Sequence, residues 1–415
     1  MKRVVITGLG AITPIGKNVK QYWENLLKGI SGANKITRFE ASKFKTQFAC
    51  EIKDYDALDY FDRKEARKLD RFSQYGLISA EEAIKDANLD FSKLDTNRIG
   101  VIFSSGIGGF ETFEKEIIDY TNGNFNPRFN PFFIPKIISN GLSGIISINN
   151  GLRGVNYCPV TACASSTQSI IQSFNYIRLG KADIIIAGGS EAPITESSIG
   201  GFNAMKAMST NNENFSSASK PFDTNRDGFV VGEGAGALII ESLDSALKRN
   251  ANIYAEIVGG GESSDAYHIT GTHPEGLGAY LAMENGIKEA KITPNEIEYI
   301  NAHATSTGLG DLSEIKAIER LFKSSIEKVQ ISASKSMTGH LLGGTGAIEA
   351  ISTCLSVKTD LIPPTINTTE IDKNIPKELN LSLGETSSKK VNYALSNSFG
   401  FGGHCSAMIL KKYVG

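Results

Sequence analysis

A series of short apolar runs, many closed by glycine and separated by stretches of helical periodicity, is the feature that most restricts how this chain folds. The runs read as buried strands at Arg3 to Thr7, Ile99 to Ser104, Asn156 to Val160, Ile184 to Gly188, Ala235 to Glu241, Ile253 to Gly259, Tyr299 to Ala302, Gln330 to Ser332, Tyr393 to Ser396 and Ser406 to Leu410. Helices are expected between them, at Arg71 to Ala87, Ser165 to Leu179, Gly278 to Ala290, Leu312 to Phe322 and Gly346 to Ser356. Near-continuous apolar strands are buried on both faces, so the alternation predicts an α/β protein with mainly parallel sheets covered by helices. The 42 glycines are scattered among these run ends and form no low-complexity tract.

At 415 residues the chain exceeds the ~250–300 at which one hydrophobic core stops growing, which predicts two lobes. An internal echo supports this. A strand ending in Thr161 leads through small residues into an uncharged helix, and the strand near Ile331 leads through Lys335-Ser336-Met337-Thr338-Gly339-His340 into another small-residue helix. The division is expected near residue 250, giving halves 1–250 and 251–415. The polar stretches Asn122 to Asn130 and Asn211 to Ser219 read as surface loops.

With 43 Lys+Arg against 45 Asp+Glu, no global charge points to nucleic acid or to a polybasic membrane contact. Five cysteines, widely spread and without a C-x-x-C pair, argue against a disulfide framework and for a reducing compartment, hence a cytoplasmic protein. Met1-Lys2-Arg3 before Val4-Val5-Ile6 superficially resembles a signal peptide, but Gly8, Gly10, Thr13 and Pro14 interrupt it too early. No run of ~18 apolar residues offers a membrane span.

From Gly154 to Ile177 no residue is charged, as suits a strand and helix enclosed by protein. Cys163 lies at their junction. There the free amides of the first helical turn and the helix dipole are expected to favour a thiolate and to stabilise an oxyanion formed by its attack on a carbonyl. Buried structural roles suffice for Cys50, Cys158 and Cys354. No G-x-S-x-G serine competes as nucleophile.

Of five histidines, His303 and His340 sit in matching positions, each after an expected strand and among small residues. Two neutral imidazoles there can direct N–H groups at one thioester carbonyl. Cysteine and histidine also suit zinc, but no local ligand spacing exists and a metal would block the nucleophile, so no metal is expected. Simple surface or hydrogen-bonding roles suit His268, His273 and His404. Lys335 brings a charge beside the His340 loop, with Glu349 and Asp311 as expected counter-charges.

These residues resemble the β-ketoacyl-acyl carrier protein synthases of fatty-acid synthesis, specifically the elongating type II enzymes. The resemblance runs from Val5-Ile6-Thr7-Gly8-Leu9-Gly10 through Thr161-Ala162-Cys163-Ala164-Ser165, Asn301-Ala302-His303-Ala304-Thr305-Ser306-Thr307 with Gly310-Asp311, and Lys335-Ser336 with Thr338-Gly339-His340, to Asn397-Ser398-Phe399-Gly400-Phe401-Gly402-Gly403. It implies the thiolase fold, two related βαβαβαββ halves in a five-layered αβαβα arrangement, and a homodimer. The implied reaction is a decarboxylative Claisen condensation. Cys163 takes an acyl group from acyl carrier protein, and malonyl-acyl carrier protein loses carbon dioxide to give an enolate that attacks the thioester. By the match His303 and His340 assist decarboxylation, Lys335 orders them, the amides of Cys163 and Phe399 form the oxyanion hole, and the Phe399 ring is a gate. Thr305, Thr307, Asp311 and Glu349 support the site, and no cofactor is implied.

Ile107, with Phe202 and Phe401, occupies the family's acyl pocket, and a branched aliphatic there implies room for longer chains. Because carrier protein is acidic, Arg63, Lys64, Arg67, Lys68 and Arg71, with Arg128 and Lys206, are expected to form a docking surface. The segment Asp265-Ala266-Tyr267-His268-Ile269-Thr270 resembles the type II enzyme more than type I. Departures are Gly308 for a frequent proline, Gly344-Thr345 for a pair of alanines, and His404-Cys405 for Thr-Asn or His-Asn. Cys405 raises the thiolase reading, in which a second cysteine is the base; the histidine pair argues against it. The alternatives are a polyketide-type or other specialised ketosynthase and, less well supported because Cys163 is present, a non-catalytic carrier-binding partner.

Overall fold

The computed structural model describes residues 1–415, the side chain of Ser324 excepted. The first half contributes strands β1 (Val4–Ile12), β2 (Ile99–Ser104), β3 (Asn156–Tyr157), β4 (Ile184–Glu191) and β5 (Gly234–Ser242). The second contributes β6 (Ala255–Ser264), β7 (Tyr299–Asn301), β8 (Gln330–Ser332), β9 (Tyr393–Gly400) and β10 (His404–Lys411). With a short strand at Asn380–Leu381 they form an 11-stranded sheet, in which that strand is followed by β8-β7-β9-β10-β6-β1-β5-β4-β2-β3. Numbered within each half, both sets follow one order from the outer edge inward: third, second, fourth, fifth, first. The echo seen in the sequence is thus a repeated topology, joined where β1 pairs with β6.

The expectation of mainly parallel sheets needs correction. Only the wings are parallel, through β2 with β3 and β4, and β7 with β8 and β9. The centre, β4-β5-β1-β6-β10-β9, is antiparallel throughout. The strand expected over Asn156 to Val160 pairs only at its first two residues.

Alternation along the strands defines the layers. Ile184 and Ile186 face Phe72, Tyr75 and Ala83 of helix α1 (Arg71–Asp86), whereas Ile185 and Ala187 face the molecular centre. In β10, Ala407 and Ile409 face outward and Met408 and Leu410 inward. Helix α2 (Phe110–Asn122) follows β2. Between the two inner faces lie α3 (Ser165–Arg178) and α6 (Thr345–Thr359), which explains why both are nearly uncharged. Helices α4 (Leu277–Ala290) and α5 (Gly308–Phe322) cover the second half from outside. The resulting order is helix, sheet, helix pair, sheet, helix: the five layers of the thiolase fold. The first turns of α3 and α6 meet in the middle, where the Ala347 amide donates to Ser166 Oγ at 2.9 Å.

Candidate active site

Each central helix is preceded by the same sharp turn. Ala162 (φ 49°) and Leu342 (φ 46°) both adopt left-handed backbone conformations, followed by 3-10 turns over Ala162–Ala164 and Leu342–Gly344. Such a conformation costs a side-chain-bearing residue about 1 kcal/mol, and it aims the next residue away from the helix axis. In the first half that residue is Cys163. The Thr161 amide donates to Ser165 Oγ at 2.8 Å, tying the turn to the start of α3.

Cys163, His303 and His340 are 8 %, 8 % and 3 % exposed and line one cavity of about 530 Å³ with Phe399. His303 leaves the end of β7, and Glu314 of α5 holds that exit by accepting the His303 and Ala304 amides at 2.9 and 2.8 Å. Asn397 Nδ2 donates to the same carboxylate at 2.9 Å. His340 follows the short helix Lys335–Thr338, and its Nδ1 lies 3.0 Å from Thr345 Oγ1. The imidazoles meet edge to face, centroids 5.3 Å apart at 86°. Phe399 lies 5.5 Å from the His303 ring, and Phe229 the same distance from the His340 ring.

Electrostatics sharpen this picture and correct one expectation. Burial pushes the Cys163 thiol up to about 12, outweighing nearby Lys335 and the amides that favour the anion, so the resting sulfur is a thiol and not the expected thiolate. Burial, then Lys335 and the neighbouring His340, hold His303 well below its ordinary 6.5. His340 is lowered likewise by burial and Lys335. Both rings are therefore neutral near pH 7, and the His340 tautomer with its proton on Nε2 is the one in which Nδ1 accepts the Thr345 hydroxyl.

Lys335 Nζ pairs with Glu349 Oε1 at 2.6 Å, both side chains almost fully buried. Burial raises the Glu349 carboxyl to about 7 despite this partner. Asp311, the other expected counter-charge, instead lies 3.5 Å from Arg226 and accepts the Phe222 and Ser306 amides at 2.9 and 3.1 Å, shaping the loop that carries Thr305 and Thr307. Those two threonines line the cavity, their hydroxyls 3.1 Å apart.

The amides of Cys163 and Phe401 favour the anion on the sulfur, but less than burial opposes it. A Cβ at Gly400 would lie 2.4 Å from Thr161 O and 3.0 Å from the Cys163 amide, so glycine there lets the Phe399-Gly400-Phe401 segment pack against the nucleophile turn. Ile107, Phe202 and Phe401 line the cavity, as does Cys405, a buried thiol directed at Gly403 O, whose pKa burial also raises.

Arg63, Lys64 and Arg67 are exposed on or beside the short helix Arg63–Ala66, capped by Asp62. Lys68 pairs with Glu65 at 2.6 Å. Arg71 leaves this set: it is turned inward onto Glu111, with hydrogen bonds of 2.9 and 3.1 Å. Arg128 is exposed, and Lys206 is exposed at the cavity wall. Sequence reasoning missed Glu314, Phe229 and Glu191. The only available signal was that Glu314 follows Asp311 by one helical turn, and that Glu191 closes an apolar strand without a neighbouring cation.

A cysteine on a strained turn, sharing a largely apolar cavity with two neutral imidazoles, fits a carbon–carbon bond-forming acyltransferase site. The model of the beta-ketoacyl synthase N-terminal domain matches residues 1–246 and that of the C-terminal domain residues 254–369. The chain belongs to the beta-ketoacyl synthase family. It is 48 % identical over 415 residues to 3-oxoacyl-[acyl-carrier-protein] synthase 2 of Staphylococcus aureus (strain COL), covering 99 % of each. It is 45 % identical to the protein of that name from Synechocystis, over 99 % of this chain and 98 % of that one. Among solved structures it resembles a beta-ketoacyl synthase from Burkholderia phymatum (TM-score 0.92, 32 % identity, full coverage of both). It is equally similar to a ketosynthase solved with a type II PKS acyl-carrier protein (TM-score 0.92, 32 % identity, 99 % of this chain and 100 % of that one).

Proposed function

We propose that the chain catalyses the elongating condensation of type II fatty-acid synthesis, joining a Cys163-bound acyl group to malonyl-acyl carrier protein to give β-ketoacyl-acyl carrier protein and carbon dioxide. The observation that carries this reading is the meeting of Cys163 with two neutral imidazoles in one buried cavity. In the first half-reaction the sulfur attacks the acyl thioester, the amides of Cys163 and Phe399 receive the oxyanion, and the sulfur's proton leaves on the carrier thiol. In the second, the malonyl carboxylate departs as carbon dioxide while His303 and His340 donate hydrogen bonds to the enolate oxygen. The enolate carbon then attacks the acyl carbonyl and expels the sulfur, which is reprotonated from solvent. The buried Lys335–Glu349 pair holds the His340 segment and biases both rings toward neutrality. Phe399 gates the cavity as the acyl-enzyme forms. The test is to supply acyl- and malonyl-loaded carrier protein: stoichiometric carbon dioxide and a product two carbons longer support the reading, and malonyl turnover without chain extension contradicts it.

The greater identity to the fatty-acid enzymes than to the solved ketosynthases favours elongation over a polyketide role. We divide the chain into halves 1–250 and 251–415, a boundary falling between the two matched segments. No described helix is long and apolar enough to cross a membrane, and all five cysteines are free, which accords with action in the cytoplasm.

Carrier protein is the partner we assign to Arg63, Lys64, Arg67, Lys68, Arg128 and Lys206. Raising the ionic strength from about 0.05 to about 0.5 M is expected to raise KM for carrier-borne substrate at least fivefold while leaving kcat unchanged. A KM insensitive to salt would remove the patch from the docking surface.

A second copy of the chain is the other partner. Phe113, Ile117, Ile118, Phe132, Ile134 and Ile138 are all exposed on α2 and the segment after it, and β3 is an unpaired sheet edge. Monomers rarely leave so much apolar surface open. Sedimentation at twice the chain mass is the expected result.

Ile107 sets the depth of the acyl pocket in this reading. Ile107→Phe is expected to cut Cys163 acylation by long-chain donors at least about tenfold relative to short ones, because the ring fills volume the chain would occupy. Measured rates across a donor series check this; an unchanged profile would move the pocket elsewhere.

A further inference from the structure

Glu191 ends β4 beside the nucleophile, 1 % exposed, and lines the cavity between Ile107 and Leu342. Its Oε1 accepts from Ser105 Oγ at 2.7 Å and from the Ile107 amide at 3.1 Å. Its Oε2 accepts from the Gly106 amide at 2.8 Å and from the Gly343 amide at 2.9 Å. Every lone-pair direction of the carboxylate is thereby engaged, and all four donors are dipoles, none a cation. The donors belong to two segments distant in sequence: the loop after β2, which carries Ile107, and the turn after His340, which opens α6.

The backbone around this carboxylate is built for close approach. A Cβ at Gly343 would lie 2.4 Å from the Gly106 amide and 2.6 Å from Glu191 Oε2. A Cβ at Gly106 would lie 2.8 Å from the same oxygen and 3.6 Å from Ala162 O, on the turn that presents Cys163. Two functional segments therefore converge on one side chain, the acyl-pocket loop and the turn following the second histidine, and the nucleophile turn packs against Gly106 of the first. Ser105 Oγ extends the clamp by accepting the Gly108 amide at 3.0 Å.

We propose that Glu191 is a positioning and specificity-determining residue that clamps the Ser105–Gly108 loop to the Leu342–Gly344 turn, so that the Ile107 wall of the acyl pocket is fixed relative to Cys163. The inference rests on the condensing-enzyme reading above and adds to it the element that holds the pocket's shape. A glutamine is isosteric but places an NH₂ group against amides that Oε1 or Oε2 now accepts, so one end of the clamp turns repulsive. Acyl chains long enough to reach Ile107 lose a preformed wall, whereas short ones that never reach it do not.

The test compares Cys163 acylation by long- and short-chain acyl carrier protein in wild type, Glu191→Gln and Ser105→Ala, each first checked for folding by thermal melting. The long-to-short rate ratio is expected to fall about tenfold in Glu191→Gln and a few-fold in Ser105→Ala, with KM for the carrier unchanged. A ratio equal to wild type in folded variants, whatever their melting temperatures, overturns the proposal by reducing Glu191 to a stabilising residue. Should Glu191→Gln not fold, the Ser105→Ala ratio decides alone. Failure of wild-type Cys163 to accept any acyl group is a separate result, which removes the condensing-enzyme reading and the clamp's specificity role together.

Discussion

Cys163→Ala is expected to lower condensation by ~10⁴-fold or more, with malonyl decarboxylation retained within about tenfold of wild type. In the proposed reaction the Cys163 sulfur holds the acyl group while the carrier departs and a second loaded carrier enters. Its burial keeps it a thiol at rest, so in the proposed reaction the S–H bond breaks only as substrate engages and the amides of Cys163 and Phe399 meet developing charge. Alanine leaves Phe401, Phe399 and both imidazoles in place, and decarboxylation needs only a place for enolate charge. Carbon dioxide release measured beside ketoacyl product separates the two functions. Loss of both at once would contradict the division of labour.

The reciprocal result is expected for the histidines. His303→Ala or His340→Ala should cut malonyl decarboxylation by about 10²–10³-fold each, the scale of removing one oriented donor from an anion-stabilising site. Cys163 acylation should survive. Because burial and Lys335 hold both rings below their ordinary 6.5, they stay neutral as pH falls through 7 and protonate only beneath their lowered values. Neither imidazole is therefore expected to add an inflection to the decarboxylation rate between about pH 6 and 8, and any inflection there is expected to vanish in Glu349→Gln, whose native carboxyl burial raises to about 7. A sigmoid centred near 6.5 that persists in Glu349→Gln would show an imidazole titrating in its ordinary range and would overturn the neutral-pair reading.

Much of this architecture was legible beforehand because strands covered on both faces, such as Ile184–Glu191, read as continuous apolar runs, and helices enclosed between sheets, such as Ser165–Arg178, lose their charges. Strand direction was not legible. An apolar run has no polarity, and the antiparallel centre arises from connections spanning whole subdomains, as between β1 and β5. Cys163, His303 and His340 stood out through their neighbours, but the charge state of Cys163 did not: the helix-terminus argument was sound in sign and was outweighed by burial. Asp311 and Glu349 looked equivalent as partners for Lys335 until the fold brought Arg226 to Asp311. Glu191 and Glu314 went unseen because each acts on backbone amides, and an amide carries no sequence signature.

The most direct test is the mass of the Cys163 peptide after the wild-type protein meets acyl-loaded carrier protein without malonyl donor. The expected result is one acyl group per chain, on the peptide containing Cys163, discharged as product when malonyl-carrier protein is added. An acyl group on any other residue, or an adduct on Cys163 that malonyl-carrier protein fails to discharge, would contradict the account.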